Sequence, residues 1–359
     1  MAFSEVMLPN RPVLHHVAAL HVLEAAIGRP LEITFVNQSI SLSDDDLYNL
    51  SNRGIFPIGV GSGRLYKDRG FGSETAVIVH ELRLVGKIVQ KDKVLDDFVT
   101  MMDLNNNHQS RQGGYLRRQP YSVAWIMRQG YRLGNDSSEV EFLSTDEDVV
   151  RRVMHVVAVY LEANRHNGGI NLGLREQVMR TAAMQLLPSG DTANKGPRNH
   201  QGPMTVSRYI RDMFVLGLSE DEILEKAEWF VRVHDRSKER QTAARKRIDA
   251  GGFSIFELSG YRETGTWIDS DDPYLLEELA KTKSHPLVVM RSSQGNVIIM
   301  SMMFDLSGCA SLFLSREQCW YYQASPQLLA NGTEGVGDTR TGLSREVIES
   351  DLGETVCYK

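Results

Sequence analysis

The chain has 359 residues, of which 42% are hydrophobic and 24% charged, and its formal net charge is −6. This composition is that of an ordinary globular protein, so extensive disorder is not expected. The length predicts two domains, because one hydrophobic core rarely grows this large. Lysine and arginine are scattered except in short clusters, which argues against a broad basic face for duplex nucleic acid.

The three cysteines, Cys309, Cys319 and Cys357, contain no CxxC pair. Their odd number and their spacing argue against a disulfide framework and a structural zinc site, and favour a reducing compartment. The chain begins without the basic stretch and apolar run of a signal peptide, and no window of about 18 residues is apolar throughout. We therefore predict a cytoplasmic protein that does not insert into a membrane.

Strands alternate with helices over the first quarter of the chain. Pro12 opens a predicted helix that ends near Gly28, because a proline at the first helical position loses no hydrogen bond. Ser43 with Asp46, and further on Ser73, carry side chains suited to cap two more helices. The predicted strands are residues 3–8, Leu31–Val36 and Ile55–Val60. Such an alternation predicts a parallel sheet covered by helices, with a ligand cleft where the strands end.

Helices dominate the middle of the chain. One is expected over residues 145–163, and a capping box at Ser219 and Glu222 starts a long amphipathic helix over 219–248. Between them, residues 188–203 are rich in proline, glycine and asparagine without apolar periodicity, which indicates a mobile loop.

The tail is predicted to return to strands. Leu287–Arg291 and Asn296–Met303 are apolar runs joined by a Ser-Ser-Gln-Gly turn, which is typical of a hairpin, and Cys319–Tyr322 favours another strand. No internal repeat is expected. Together the patterns predict an α/β protein in three parts: an α/β lobe with a parallel sheet, a helical section with the mobile loop, and a smaller α+β C-terminal lobe. The predicted bounds of the three parts are 1–135, 136–250 and 251–359.

Polar side chains gather at the predicted strand ends. His15 and His16 open the first helix, a glycine cluster follows the third strand, and Asp68 and Asp103 lie in the next two polar segments. Imidazole and carboxylate groups in such places can hold a divalent metal ion, which activates water and neutralises phosphate oxygens. Each group also has an ordinary alternative, since the histidines can pack or cap the helix and Asp103 can simply end one.

Four segments follow one another in a recognisable order. His15 or His16 follows the first strand, Gly59-Val60-Gly61 ends the third, Tyr66-Lys67-Asp68-Arg69 comes next, and Asp103 precedes Asn106 and Asn107. In this order they resemble the melanocyte-proliferating-gene family of DHH-type phosphoesterases. The family's motifs are a histidine followed by acids, Asp-Val-Gly-Gly, Tyr-Asp-His-His and Asp-x-x-Asp-Asn-Gly. This chain keeps the glycines, the tyrosine, a displaced aspartate, and the first aspartate and the asparagine of the last motif.

The tail adds a short match. The stretch Gly335-Val336-Gly337-Asp338-Thr339-Arg340 resembles the family's Gly-Gly-His-Arg-Thr loop, with an aspartate in place of the histidine. A glycine-rich turn lets backbone N–H groups approach an anion, and an arginine fork matches phosphate geometry. Gly335, Gly337, Thr339 and Arg340 are therefore the candidate phosphate-binding residues. A surface turn with a solvated arginine is the alternative.

The resemblance covers residues 1–110 and 285–350. It implies a metal-dependent, exonuclease-like enzyme acting on RNA, with Mn²⁺ or Mg²⁺ held by His15, His16, Asp68 and Asp103. His16, Asp68 and Asp103 would then be the catalytic residues.

Three functions remain as hypotheses. The first is a non-catalytic or weakly active relative that binds a nucleotide, RNA or a protein partner in a cleft between the lobes, since family ligands are replaced at several motifs. The second is a divalent-metal-dependent phosphoesterase, a 3′–5′ exonuclease of single-stranded RNA with a remodelled metal site. The third is an assembly protein whose helix over 219–248 binds a protein partner or a second copy of the chain.

Overall fold

The structure is a computed structural model. It describes residues 3–36, 42–61, 70–106, 121–134, 136, 139–142, 144–166, 204–258, 261–282, 284–301, 303–317, 320–324, 327–331 and 340–358. The chain divides into two compact units, Met1–Ser237 and Lys238–Lys359. The predicted three-part division stays a prediction, and the loop predicted at 188–203 lies outside the described residues.

The first unit is mostly helical around a small sheet. In chain order its described elements are β1 (Glu5–Pro9), α1 (Leu14–Ile27), β2 (Glu32–Val36), α2 (Asp44–Asn52), β3 (Ile55–Pro57), α3 (Glu74–Leu84), α4 (Lys93–Asn106), α5 (Val123–Gly134), a 3₁₀ turn (Val140–Phe142), α6 (Asp146–His166), α7 (Val206–Val215) and α8 (Glu220–Ala250). The last helix begins in the first unit and ends in the second.

The sheet of the first unit is parallel, as the alternation of strands and helices predicts. β1 lies in the middle, in the order β2-β1-β3 among the described strands. The register runs from Glu5 opposite Glu32 to Pro9 opposite Val36, and Glu5 also lies opposite Ile55. The carboxyl ends of the strands therefore share one edge, where the loops that follow them begin.

Side-chain caps begin α2, α3 and α8 where the sequence predicts them, whereas α1 begins at Leu14 and not at the predicted Pro12. The Ser43 hydroxyl accepts the N–H of Asp46 at 3.1 Å, and the Asp46 carboxylate accepts the N–H of Ser43 at 2.8 Å. The predicted box at Ser219 and Glu222 forms in the same way. At the other end of a helix, Gly28 stops α1 in the left-handed conformation that a glycine adopts without steric cost. These features depend on contacts within one helical turn, so they follow from local sequence.

The long helix α8 buries its apolar side within the chain. Ile223, Phe230 and Val233 lie in the core of the first unit, and Ala244 lies in a core cluster of the second. These four apolar residues of the helix therefore already have neighbours within the chain. Binding of a partner through 219–248 stays a prediction.

The second unit is built on a six-stranded mixed sheet. Its described elements after α8 are β4 (Ser254–Glu257), β5 (Thr264–Asp269), α9 (Pro273–Ala280), β6 (Leu287–Arg291), β7 (Val297–Ser301), β8 (Phe304–Asp305), α10 (Ser307–Arg316), β9 (Trp320–Ala324), β10 (Gln327–Asn331), α11 (Arg345–Thr355) and β11 (Cys357–Tyr358). The order of the sheet is β4-β5-β6-β7-β10-β9. β5 and β6 are parallel, whereas β6 and β7 form the antiparallel hairpin that the sequence predicts.

The described chain is thus a mixed α/β protein with a parallel three-stranded sheet in its first unit. None of its described helices combines the length and the apolar character needed to cross a membrane.

Candidate functional site

The loops after β1 and β3 meet at the carboxyl edge of the parallel sheet. His15 and His16 lie in the first turn of α1, both buried, with ring centroids 4.2 Å apart. Gly59, which follows β3, lies directly against the His16 ring: a Cβ added to Gly59 would come 2.5 Å from His16 Nε2. The φ of Gly59 is +68°. Both the backbone conformation and the space therefore require glycine here.

His15 is engaged by the start of α3. Its Nδ1 accepts the backbone N–H of Glu74 at 3.2 Å, and its carbonyl oxygen accepts the hydroxyl of Thr75 at 2.8 Å. A neutral imidazole that accepts a hydrogen bond at Nδ1 carries its proton on Nε2. In this arrangement neither ring nitrogen of His15 offers a lone pair to a metal ion.

His16 is a neutral, buried imidazole. Burial lowers its pKa to about 3, so the ring carries no charge at neutral pH. Its Nδ1 is buried and has no hydrogen-bond partner in the part of the chain that the structure describes. Neutral imidazole is the form that ligates metals, so His16 keeps the protonation state that the resemblance requires of a ligand.

Asp103 lies in the last turn of α4 and is held by the turn that precedes α3. Its Oδ1 accepts the hydroxyl of Ser73 at 2.5 Å, and a Cβ added to Gly72 would come 2.5 Å from Asp103 Cγ. Asn106, one turn further on, donates from Nδ2 to the Gly72 carbonyl at 3.0 Å. Burial raises the pKa of Asp103, and the hydrogen bond from Ser73 opposes that rise.

The first turn of α3 joins these groups. Ser73 reaches Asp103, Glu74 reaches His15, and all of them are buried or half-buried. Three of the predicted ligands, His15, His16 and Asp103, therefore come to one place, and Asp68 lies outside the described residues. The sequence marked Ser73 only as a helix cap, and no local signal showed that Glu74 would bind the imidazole of His15.

The described residues at this place do not fit a Mg²⁺ or Mn²⁺ site. Such ions are bound mainly by oxygen ligands, about six of them. Asp103 is the one carboxylate among the predicted ligands that the structure describes. Across the described ranges, no three histidine, cysteine, aspartate or glutamate side chains are grouped so that they could hold a metal ion.

A groove of about 560 Å³ lies beside this edge, among α2, β3 and α3. It shares Gly59 and Glu74 with the histidine site. Most of its walls are apolar, and the charged side chains among its described lining residues, Asp44, Glu74 and Glu81, are all acidic. Carboxylates repel phosphate, so the described walls do not suit a phosphate group.

The predicted phosphate-binding turn belongs to the second unit. Gly335, Gly337 and Thr339 lie outside the described residues. Arg340 is exposed, and its Nη2 donates to Gln294 Oε1 at 3.4 Å. The side chain of Arg340 lies beside Gly295, in the turn between β6 and β7.

Two further arginines lie beside the segment that follows Arg340. The guanidinium carbons of Arg291 and Arg345 are 5.1 Å and 5.0 Å from the centroid of the Trp267 ring. Arg291 also donates to the carbonyl oxygen of Leu343 at 3.2 Å, which joins the end of β6 to the start of α11. Arginines 291, 340 and 345 are called the arginine cluster below. Sequence reasoning missed two of them, because one ends a strand and the other begins a helix.

Glu317 fixes the segment that carries the cluster. Its carboxylate accepts the hydroxyl of Thr341 and the backbone N–H of Gly342, each at 2.7 Å. Ser344 then caps α11 by accepting the N–H of Val347 at 3.4 Å. Helix α11 begins there, so its positive end adds to the charge of the arginines. Fixed guanidinium groups beside a helix N-terminus can hold an anion.

No family model matches this chain, and no curated protein matches it. Among solved structures, RecJ in complex with Mn²⁺ from Thermus thermophilus is 9% identical with a TM-score of 0.37, and the match covers 97% of this chain and 51% of that chain. An uncharacterized protein from Helicobacter pylori is 11% identical with a TM-score of 0.24, and the match covers 98% of each chain. This chain thus spans about half the length of the RecJ chain. Similarities this low assign neither a fold family nor an activity.

Proposed function

We propose that this chain is a DHH-phosphoesterase-like protein that binds the phosphate of a nucleotide or of an RNA end and does not hydrolyse it. The observation that carries the proposal is the arginine cluster. Arg340 and Arg345 flank one short segment of the second unit that Glu317 holds in place, and Arg291 donates to Leu343 within it. Arg345 is also paired with Glu349, so Arg291 and Arg340 are the main candidate phosphate contacts. Guanidinium forks match phosphate oxygens in charge and in shape.

The absence of hydrolysis is supported by the first unit. His15 accepts the N–H of Glu74 at Nδ1, and Asp103 is the one carboxylate among the candidate ligands that the structure describes. A metal-dependent reaction needs several free ligands around the ion. We therefore expect binding that survives removal of divalent metal.

The test is fluorescence anisotropy with a labelled, 5′-phosphorylated single-stranded RNA hexamer in EDTA, with AMP as a competitor. We expect saturable binding that weakens with salt, and Arg291→Ala or Arg340→Ala should each weaken it about tenfold. Arg247→Ala is the matched control, because Arg247 is an exposed arginine of the same unit. Equal binding by all three variants, or no binding by the unaltered protein, would contradict the proposal.

The same samples distinguish the ligand. If the protein recognises a phosphate monoester, AMP should compete and an RNA hexamer without the 5′-phosphate should bind more weakly. If it recognises the RNA backbone, the unphosphorylated hexamer should bind equally well and AMP should not compete.

The alternative is a Mn²⁺- or Mg²⁺-dependent 3′–5′ RNA exonuclease that uses His16, Asp68 and Asp103. The neutral state of His16 favours this alternative. It predicts release of nucleotides from single-stranded RNA after addition of Mn²⁺, with loss of the release in His16→Asn and Asp103→Asn. Unchanged RNA, together with no stabilisation by Mn²⁺, would remove it.

A further inference from the structure

Two segments of the first unit repeat one sequence pattern. Residues 120–134 read PYSVAWIMRQGYRLG, and residues 203–217 read PMTVSRYIRDMFVLG. Aligned without a gap, they share the first proline, a valine, an arginine and the final Leu-Gly. Similar residues, such as Ser and Thr, Met and Ile, or Tyr and Phe, stand opposite each other at further positions. This alignment runs against the expectation that the chain has no internal repeat.

The helices that follow these segments, α6 and α8, also correspond. Each begins at a capping box, formed by Thr145 with Asp148 and by Ser219 with Glu222. Buried residues then recur at equal distances from the two caps. The pairs are Val149 and Ile223, Val153 and Ala227, Val156 and Phe230, Val159 and Val233, and Ala163 and Ser237. Both helices therefore bury the same face.

The two copies are joined at their starts by a pair of reciprocal hydrogen bonds. The N–H of Val123 donates to the carbonyl oxygen of Met204 at 2.9 Å, and the N–H of Val206 donates to the carbonyl oxygen of Tyr121 at 3.0 Å. Between them lies an isolated antiparallel bridge. An antiparallel pair is unchanged when its two strands are exchanged, so these bonds form a local two-fold arrangement.

The backbone at this junction is unusual in the same way in both copies. Tyr121 has a φ of +59° and Met204 a φ of +56°, and neither is glycine. Side-chain-bearing residues rarely adopt this conformation. Its occurrence at equivalent positions of the two patterns is a structural match that is independent of the sequence alignment.

The first helix of each copy also packs on the second helix of the other. In one direction, the Tyr209 hydroxyl of α7 lies 2.7 Å from His155 Nδ1 of α6. In the other direction, Trp229 of α8 lies against Gly130 of α5, where an added Cβ would come 2.6 Å from the indole ring. His155 and Trp229 stand at the same distance from their helix caps, so the exchange of contacts follows the repeat.

We infer that α5–α6 and α7–α8 are two copies of one helix pair, which associate within the chain as the subunits of a two-fold dimer do. Their junction, called the clamp, is held by two backbone hydrogen bonds that break and form together. The clamp consists of residues 121–123 and 204–206. On each segment, the donor and the acceptor are two residues apart. Movement of one segment away from the other therefore breaks both bonds together.

Matched proline substitutions test this coupling. Val123 and Val206 are the first residues of α5 and α7, a position at which proline is tolerated by a helix, so Val123→Pro and Val206→Pro each remove one clamp donor. Thr205, which precedes Val206, is extended as a residue before proline must be. Val123→Ala and Val206→Ala keep the N–H and control for the lost side chain. Glu220→Pro, at the first position of α8, controls for proline itself.

The measurement is amide hydrogen exchange of the full chain, followed by NMR or mass spectrometry. Val123→Pro should speed exchange of the Val206 amide about tenfold relative to Val123→Ala, and Val206→Pro should do the same to the Val123 amide. Glu220→Pro should leave both amides unchanged. Loss of protection at the substituted residue alone would overturn the inference.

A measurement on the unaltered protein keeps the inference testable if the proline variants do not fold. The Val123 and Val206 amides should exchange with the same opening free energy and the same dependence on denaturant, although they are distant in sequence. Different values for the two amides would show that the bonds open separately, and the clamp would not exist as a unit.

Discussion

Substitution of Gly59 by alanine tests the closest packing at the carboxyl edge of the parallel sheet. The added methyl group would lie 2.5 Å from Nε2 of His16 and 2.7 Å from Cε1, well inside van der Waals contact. The backbone φ of +68° is unfavourable for alanine in addition. The two effects cost about 1–3 kcal/mol for overpacking and about 1–2 kcal/mol for the backbone, so the free energy of unfolding should fall by about 2–5 kcal/mol.

Two further variants separate these effects. Gly28→Ala is the matched control, because Gly28 has a φ of +80° and nothing lies within 4 Å of the added Cβ. It should lose only the backbone part, about 1–2 kcal/mol. His16→Ala removes the ring that the new methyl group meets. In the double variant His16→Ala/Gly59→Ala, about 1–3 kcal/mol of the cost of Gly59→Ala should therefore disappear.

The assay is urea denaturation followed by far-UV circular dichroism and by amide exchange of residues in the first unit, since the chain has two units. A double-mutant cycle over His16 and Gly59 gives the coupling energy. If Gly59→Ala costs no more than Gly28→Ala, or if the two changes at 16 and 59 are additive, the packing of Gly59 on His16 is refuted.

Three more predictions concern single side chains. The pKa of His16 is lowered from 6.5 to about 3, so the stability that its neutral form contributes is present above pH 6.5 and is lost as the pH falls towards 3, by about 1.4 kcal/mol per pH unit. His16→Asn should lower the slope by this amount in urea-denaturation curves measured across that range, while the contribution of His21, whose pKa burial lowers to about 4, remains. An unchanged slope would count against a buried neutral ring at position 16. Glu317→Gln should lower the free energy of unfolding of the second unit by about 1–3 kcal/mol and weaken RNA binding, because the charge-assisted hydrogen bonds to Thr341 and Gly342 are lost. An unchanged RNA affinity in the anisotropy assay, together with an unchanged urea midpoint, would contradict this. Asp212→Asn should lower the free energy of unfolding by about 3 kcal/mol, because it leaves the guanidinium of Arg208 without its buried carboxylate. An unchanged free energy of unfolding would show that the ion pair is dispensable.

The sequence predicted the elements that depend on neighbouring residues. Ser43 and Ser219 find their capping partners three residues away, and Gly28 ends α1 through its own backbone. The strands 287–291 and 297–301 are set by an apolar pattern around a tight turn. The parallel sheet of the first unit was predictable as well, because strands that alternate with helices can pair only in that direction without long connections.

The candidate site was predicted in part. The structure places His15 and Asp103 against the start of α3 and His16 beside Gly59, and their role as ligands stays a prediction. Their hydrogen-bond partners did not follow, because the backbone N–H that binds His15 belongs to Glu74, and the hydroxyl that binds Asp103 belongs to Ser73. Such partners are far apart in the sequence and are chosen by packing.

The repeat of helix pairs was hidden for a related reason. Residues 120–134 and 203–217 share few identities, and the connections to the following helices differ in length. The correspondence lies in the tertiary structure, where both copies have the same left-handed residue and share one bridge. The sequence by itself determined the caps at Ser43 and Ser219 and the glycine that ends α1, because those contacts are local. Only the tertiary structure decided which side chains are already bound to one another, because a hydrogen bond between distant residues depends on how the whole unit packs.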